Sequence, residues 1–251
     1  MKRTIIAAAL IAGAFLSAHA NYAASDNIYG IINIQIDEGY NAIGVNLLPM
    51  PGAGTSIEDV VIPDGLKAGT SASTADNLNV WNGSRYDEYW YAGSGVWTPI
   101  GTAPATVPAN LGSGAWIKRL SGEVSTTIYQ VGVVSPNATT NIAANVGNTF
   151  IANPFPVATE LNGGNLLWDG SCVAAGKTKQ SQADLIRVWN GTSYTTFWYY
   201  THPTIPAQSG WKYGTQTVNV TIPAGEGFWL YRRGESLGSA PIPVVTPFAA
   251  E

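Results

Sequence analysis

Charge is scarce in this chain. Asp, Glu, Lys and Arg make up 11% of its 251 residues, against roughly 25% in ordinary soluble domains. The twelve basic residues are outnumbered by sixteen acidic ones and form no cluster. That argues against nucleic acid or an anionic membrane surface as a partner. Cysteine is scarcer still. Cys172 stands alone, so no internal disulfide can form and stability has to come from the core. The thiol reads as a small buried hydrophobe rather than a nucleophile. Histidine occurs only at His19 and His202, too few for a metal site built from several His and Cys. A Ser-His-Asp triad would have to use His202, which sits in the loop-like Tyr200-Thr201-His202-Pro203. No loop carries Asp at the alternating positions of a calcium loop. No cofactor is implied. Long helical periodicity is absent, and so is any apolar run of spanning length beyond the N-terminus.

Residues 1–20 read as a secretory signal. Lys2 and Arg3 form the positive start, Thr4 to Ser17 the apolar stretch, and Ala18-His19-Ala20 a small-x-small cleavage site. Cleavage removes two of the twelve basic residues and none of the sixteen acidic ones, leaving a net charge of −6. The expected location is therefore secreted, periplasmic or on the cell envelope, with no membrane insertion of the mature chain.

What the chain has in abundance is glycine (28), proline (15), tryptophan (9) and tyrosine (12), arranged as an internal repeat. Residues 75–91 read ADNLNVWNGSRYDEYWY, and residues 183–199 read ADLIRVWNGTSYTTFWY. A duplication at this spacing sets the architecture. Two tandem all-β domains of about 100 residues follow, sandwiches or barrel-like, spanning 21–123 and 124–235, with a flexible tail at 236–251.

Each copy shows the same landmarks. Opening strands are expected at Ile28–Ile36 and Thr127–Val134. Second strands follow at Ala42–Leu48 and Thr149–Asn153, each stopped by prolines. Asn82-Gly83 and Asn190-Gly191 predict hairpins with type I′ turns. In the strand after the first turn, Tyr86 and Trp90 share one face and Tyr89 and Tyr91 the other. Further strands are expected at Val96–Ile100 and Trp211–Tyr213. The last landmark is a glycine turn leading into Gly114–Arg119 and Gly227–Arg233.

Each copy thus reads as an apolar strand, a G-Y-N-A-I-G-V-N-like strand, a V-W-N-G-x-x-Y hairpin, and P-A-x-G-x-G-x-W-hydrophobic-basic. This resembles a repeated β module of exported and surface bacterial proteins. Gly39-Tyr40-Asn41-Ala42-Ile43 and Gly225-Glu226-Gly227-Phe228-Trp229-Leu230 carry the likeness best. Copy two departs at Asn148, which stands where the module has an aromatic, and copy one at Ala115. The resemblance implies a non-catalytic module at or beyond the cell envelope and offers no active-site residues.

The sequence leaves three functional classes. The first is binding or assembly through polysaccharide or envelope proteins, with no set oligomeric state. The second is carbohydrate binding through exposed aromatics, for which Trp90, Trp97, Trp198 and Trp211 are the candidates, because they flank the variable segments. The third is a hydrolase with an acidic site. Asp87 and Glu88 are adjacent in a strand and cannot flank one bond, and Glu226 reads as a solvated turn residue. Trp81, Trp116, Trp189 and Trp229 read as core. Asp76 and Asp184, matched between copies, read as turn or cap residues rather than metal ligands.

Overall fold

The computed structural model describes residues 27–137, 139–162, 179–233 and 242–245. Residues 1–20, expected to be a leader, Trp168, Cys172 and most of the expected tail lie outside them. The described chain is all-β. Its strands in the first half are β1 (Tyr29–Ile36), β2 (Gly39–Gly44), β3 (Val61–Ile62), β4 (Asn77–Trp81), β5 (Tyr86–Gly93), β6 (Val96–Pro99) and β7 (Gly114–Arg119). Next come β8 (Thr126–Val133), β9 (Thr139–Ile142), β10 (Gly147–Ala152) and β11 (Thr159–Glu160). The rest are β12 (Leu185–Trp189), β13 (Tyr194–Tyr200), β14 (Gly210–Tyr213), β15 (Gln216–Thr217), β16 (Thr221–Ile222), β17 (Gly227–Arg232) and β18 (Ile242–Val245).

Two large antiparallel sheets repeat one plan. The first runs β2-β7-β4-β5-β6, and the second β10-β17-β12-β13-β14-β15. In each, the last landmark strand lies between the second strand and the hairpin, so the repeated motifs sit side by side. No sheet closes into a barrel among the described residues. Instead, a third sheet, β1-β8-β3, covers one face of the first. Between them lies a core of Ile34, Ile36 and Ile128 against Ile43, Leu78, Tyr89, Trp97 and Ile117. The second core is built from Ile151, Phe155, Ile186, Phe197, Trp211, Phe228 and Leu230.

Two details differ from the sequence expectation. Strand β8 lies beyond the expected 123/124 boundary, yet it pairs along its whole length with β1 and buries Ile128 in the first core. Apolar alternation identifies a strand but does not say which core it faces. Within the tail expected to be loose, Ile242–Val245 pair with Thr139–Ile142, and Val244 is fully buried.

The hairpins form as expected, with Trp81 opposite Tyr86 and Trp189 opposite Tyr194. Their turns differ in kind. Gly83 and Gly191 have φ of +101° and +95°, but neither Asn82 nor Asn190 has positive φ. Asn82 N donates to Arg85 O, and Asn190 N to Ser193 O, leaving two central residues with glycine first. Type I′ needs positive φ at both central residues, so neither turn is type I′. The asparagines act through their side chains instead. Asn82 Oδ1 accepts from Ser84 N and Arg85 N, and Asn190 Oδ1 from Thr192 N and Ser193 N. No atom lies near a Cβ placed on either glycine, so a substitution there is opposed by the backbone alone. Gly83→Val or Gly191→Val is expected to lower stability by about 1 kcal/mol or more; unchanged denaturation midpoints in both variants would refute this.

Candidate functional site

Alternation gives each large sheet two aromatic faces. One face builds its own core. On the first sheet the other face presents Tyr40, Ala42, Trp116, Asn79, Trp81, Tyr86, Glu88 and Trp90, as the strand registers require. On the second it presents Asn148, Phe150, Trp229, Arg187, Trp189, Tyr194, Thr196 and Trp198. These two outer faces meet. Trp116, Phe150 and Trp229 form a separate buried cluster, with Ala42, Trp81 and Trp189 packed around it.

The contacts across the seam are reciprocal, which is the mark of an approximate two-fold relation. Trp81 Nε1 donates to Asn148 O at 3.0 Å, and Trp189 Nε1 to Tyr40 O at 2.9 Å. Trp81 meets Trp229 edge-on at 5.5 Å, and Trp189 meets Trp116 edge-on at 5.8 Å. Gly44 N donates to Gly225 O, and Ala152 N to Gly112 O. A Cβ on Gly114 would stand 2.8 Å from the Phe150 ring, and one on Gly227 would strike Ile43 O. The glycines of the P-A-x-G-x-G landmark therefore make room for the other copy.

Each hairpin reaches across the seam and walls a cleft over the opposite sheet. The first cleft, about 320 Å³, is lined by Tyr40, Asn79, Tyr86, Glu88, Trp116, Trp189 and Tyr194. The second, about 410 Å³, is lined by Trp81, Tyr86, Asn148, Arg187, Tyr194, Thr196 and Trp229. Position by position they are the same site built twice, and Tyr86 and Tyr194 belong to both. Both tyrosines are solvent-accessible, at 37% and 43%. Partial burial, reinforced by the nearby Tyr194, raises the Tyr86 hydroxyl pKa, and the Trp116 indole partly offsets this. Trp229 Nε1 donates to Tyr194 OH at 3.2 Å. Its counterpart, the buried Trp116 indole, interacts with the Tyr86 hydroxyl.

The expected binding residues mostly fall elsewhere. Trp97 and Trp211 are 3% and 0% exposed, because β6 and β14 turn them toward the cores, where they pack on Tyr91 and Tyr199. Trp198 is buried in a satellite cluster with Ala183 and Leu185, and its Nε1 donates to Gly214 O. These three do not face solvent as expected. Trp90 is half-buried on the outer face shared by Tyr86 and Glu88. Of the four tryptophans read as core, Trp116 and Trp229 are buried, while Trp81 and Trp189 are only partly so. Asn82, Gly83, Asn190 and Gly191 hold the hairpins whose bases carry Trp81, Tyr86, Trp189 and Tyr194. Sequence reasoning missed Tyr40, Asn79, Arg187 and Tyr194 as site residues. The usable signal was parity with Trp81 and Trp189 along the repeated strands.

The matched Asp residues have a structural task. Asp76 is fully buried. Its Oδ2 accepts from Arg119 Nη1 at 3.0 Å and Lys67 N at 2.8 Å, and its Oδ1 from Leu120 N at 2.8 Å. Asp184 repeats this with Arg232 at 3.9 Å and Arg233 N at 2.7 Å. Each pair ties the strand before the hairpin to the last strand. Among the described residues no group of three His, Cys, Asp or Glu is placed to hold a metal. His202 Nδ1 accepts from Thr204 N and Ile205 N, so that nitrogen stabilises a turn.

Glu226 is not the solvated turn residue expected. The turn that carries it is pressed against the first copy by the Gly44 N to Gly225 O bond, and burial raises its carboxyl pKa to about 7 from an ordinary 4.5. No family model, curated protein or solved structure matches this chain.

Two expectations follow. Phe150→Ala removes the ring shared by Trp116 and Trp229 and should cost about 3–5 kcal/mol in chemical denaturation; a loss under about 1 kcal/mol would mean the seam carries little energy. Burial disfavours the Glu226 carboxylate, so its contribution is complete below its unfolded pKa and is lost as pH rises through about 7. Stability should fall between pH 5 and 8 by on the order of 2 kcal/mol after discounting for solvent screening. Glu226→Gln should flatten that slope, and an unchanged slope would rule out Glu226 as its source.

Proposed function

We propose that this is an exported, non-catalytic protein that binds saccharides in the two aromatic clefts of its repeat seam. The observation that carries this reading is the duplication of the cleft itself. Each copy contributes a floor to one cleft and a wall to the other, with accessible Tyr and Trp rings beside amide and hydroxyl groups. Ring faces of this kind stack on the apolar face of a sugar, and convergent polar groups fix its orientation. The resemblance to exported β modules and the leader at residues 1–20 support a place at or beyond the envelope.

The reading is non-catalytic because of how the acids are used. Glycoside hydrolysis needs two carboxyl groups flanking one bond. Among the described residues, Glu88 is the single carboxylate lining these two clefts. Asp76 and Asp184 are engaged with buried arginines, and Asp87 lies beside Arg85 on the opposite face from Glu88.

The test is binding of the purified protein to a panel of soluble and insoluble polysaccharides, beside Tyr86→Ala/Tyr194→Ala. These tyrosines line both clefts, so the double variant is expected to lose at least tenfold in affinity while keeping its melting temperature within a few degrees. Trp90→Ala, outside both clefts, should bind as the parent does. Equal loss in Trp90→Ala and retention in the tyrosine variant would move the site off the seam.

A further inference from the structure

The two clefts share a plan but not a charge. Where the first carries Asn79, the second carries Arg187; where the first carries Glu88, the second carries Thr196; where the first carries Tyr40, the second carries Asn148. The first therefore presents a carboxylate over its aromatic walls, and the second a guanidinium.

Arg187 is held rather than free to wander. Its guanidinium carbon lies 5.6 Å from the centre of the Tyr231 ring, and its Nη1 donates to Asn148 Oδ1 at 3.3 Å. Both interactions leave its positive charge unneutralised. Among the described residues, the other arginines close to this sheet have partners of their own: Arg232 lies against Asp184, and Arg233 donates to Ala183 O. Arg187 makes no ion pair there. A planar cation, preset on a ring and an amide, in a cleft walled by Trp81, Tyr86, Tyr194 and Trp229, has the donors for a bidentate bond to an anionic group.

We propose that the Arg187 cleft selects acidic saccharides, sugars whose ring lies against the aromatic walls and whose carboxylate is taken by the guanidinium. The twin cleft excludes that anion, because Glu88 would face it with like charge. The inference rests on the saccharide-binding reading above and assigns the ligand's charge and the residue that reads it. It also explains why duplication kept the aromatic frame while the polar residues diverged. A tandem pair with one acidic and one basic end gives a glycan chain a direction across the seam.

The experiment is titration calorimetry of the protein with α-1,4-linked trigalacturonate and with its carboxyl-reduced counterpart, at low and at high salt. Wild type is expected to prefer the acid by about tenfold or more, the scale of one charge-assisted contact, and to lose most of that preference at high salt. Arg187→Gln should abolish the preference for the acid over the neutral trisaccharide. Thr196→Glu, which copies the twin cleft's carboxylate directly opposite Arg187, should remove the preference by pairing with the intact Arg187, so a folding defect in one variant does not decide the matter. Equal binding of both trisaccharides by wild type, or an unaltered preference in Arg187→Gln, overturns the inference and leaves the saccharide reading standing. Binding of neither trisaccharide, together with no binding across the polysaccharide panel, overturns both.

Discussion

Phe150 stacks on Trp116 across the seam, with ring centres 4.9 Å apart and planes 6° from parallel, and lies against its cross-strand neighbour Trp229 at 4.8 Å with the planes tilted by 36°. The rest of the arrangement depends on this cluster of three rings. It buries apolar area that neither sheet can cover alone, and it fixes the distance between the two outer faces. With that distance set, each hairpin tryptophan reaches a backbone carbonyl of the other copy, and each glycine turn slides beneath the opposite second strand. The clefts lie beside this cluster, where the hairpin of each copy faces the sheet of the other. Their walls are therefore rigid side chains held from both sides, a suitable basis for recognition.

Much of the fold was legible because the chain repeats itself. Strand positions, hairpins and the stopping prolines could be read from residues whose periods and turn chemistry are local. The matched Ala-Asp and the basic residue ending the last strand were also visible, at Asp76 with Arg119 and Asp184 with Arg232. Their pairing was not, since a buried ion pair joins residues more than forty positions apart and leaves no local trace. The same holds for β8. Its sequence announces a strand, but Ile128 faces the first core because of packing that no window of sequence contains.

The candidate site was less legible, for a related reason. Tryptophans flanking variable loops look available, yet Trp97 and Trp211 occupy the inward parity of short strands and are consumed by the cores. The accessible rings belong to Tyr86 and Tyr194, one pair beyond the hairpin turn, where no local pattern separates a ring that meets solvent from one that meets its twin. Asn82 and Asn190 show the limit in miniature. The dipeptide signals a reversal correctly, but the asparagine serves as an acceptor for the next turn residues rather than adopting positive φ itself.

A ring at the centre of a two-fold arrangement has no room for its own mate. The position matching Phe150 is Ala42, and the position matching Ala152 is Gly44, where a Cβ would collide with that of Ala152. The two copies are thus obliged to differ at the very place where they touch. Two second copies brought together would crowd a pair of phenylalanines and a pair of alanine methyls into space for one of each; two first copies would leave a void. Partner choice is written into this mismatch. Each copy is directed to a copy of the other kind rather than to its own like, so the two halves are complementary parts and not interchangeable ones.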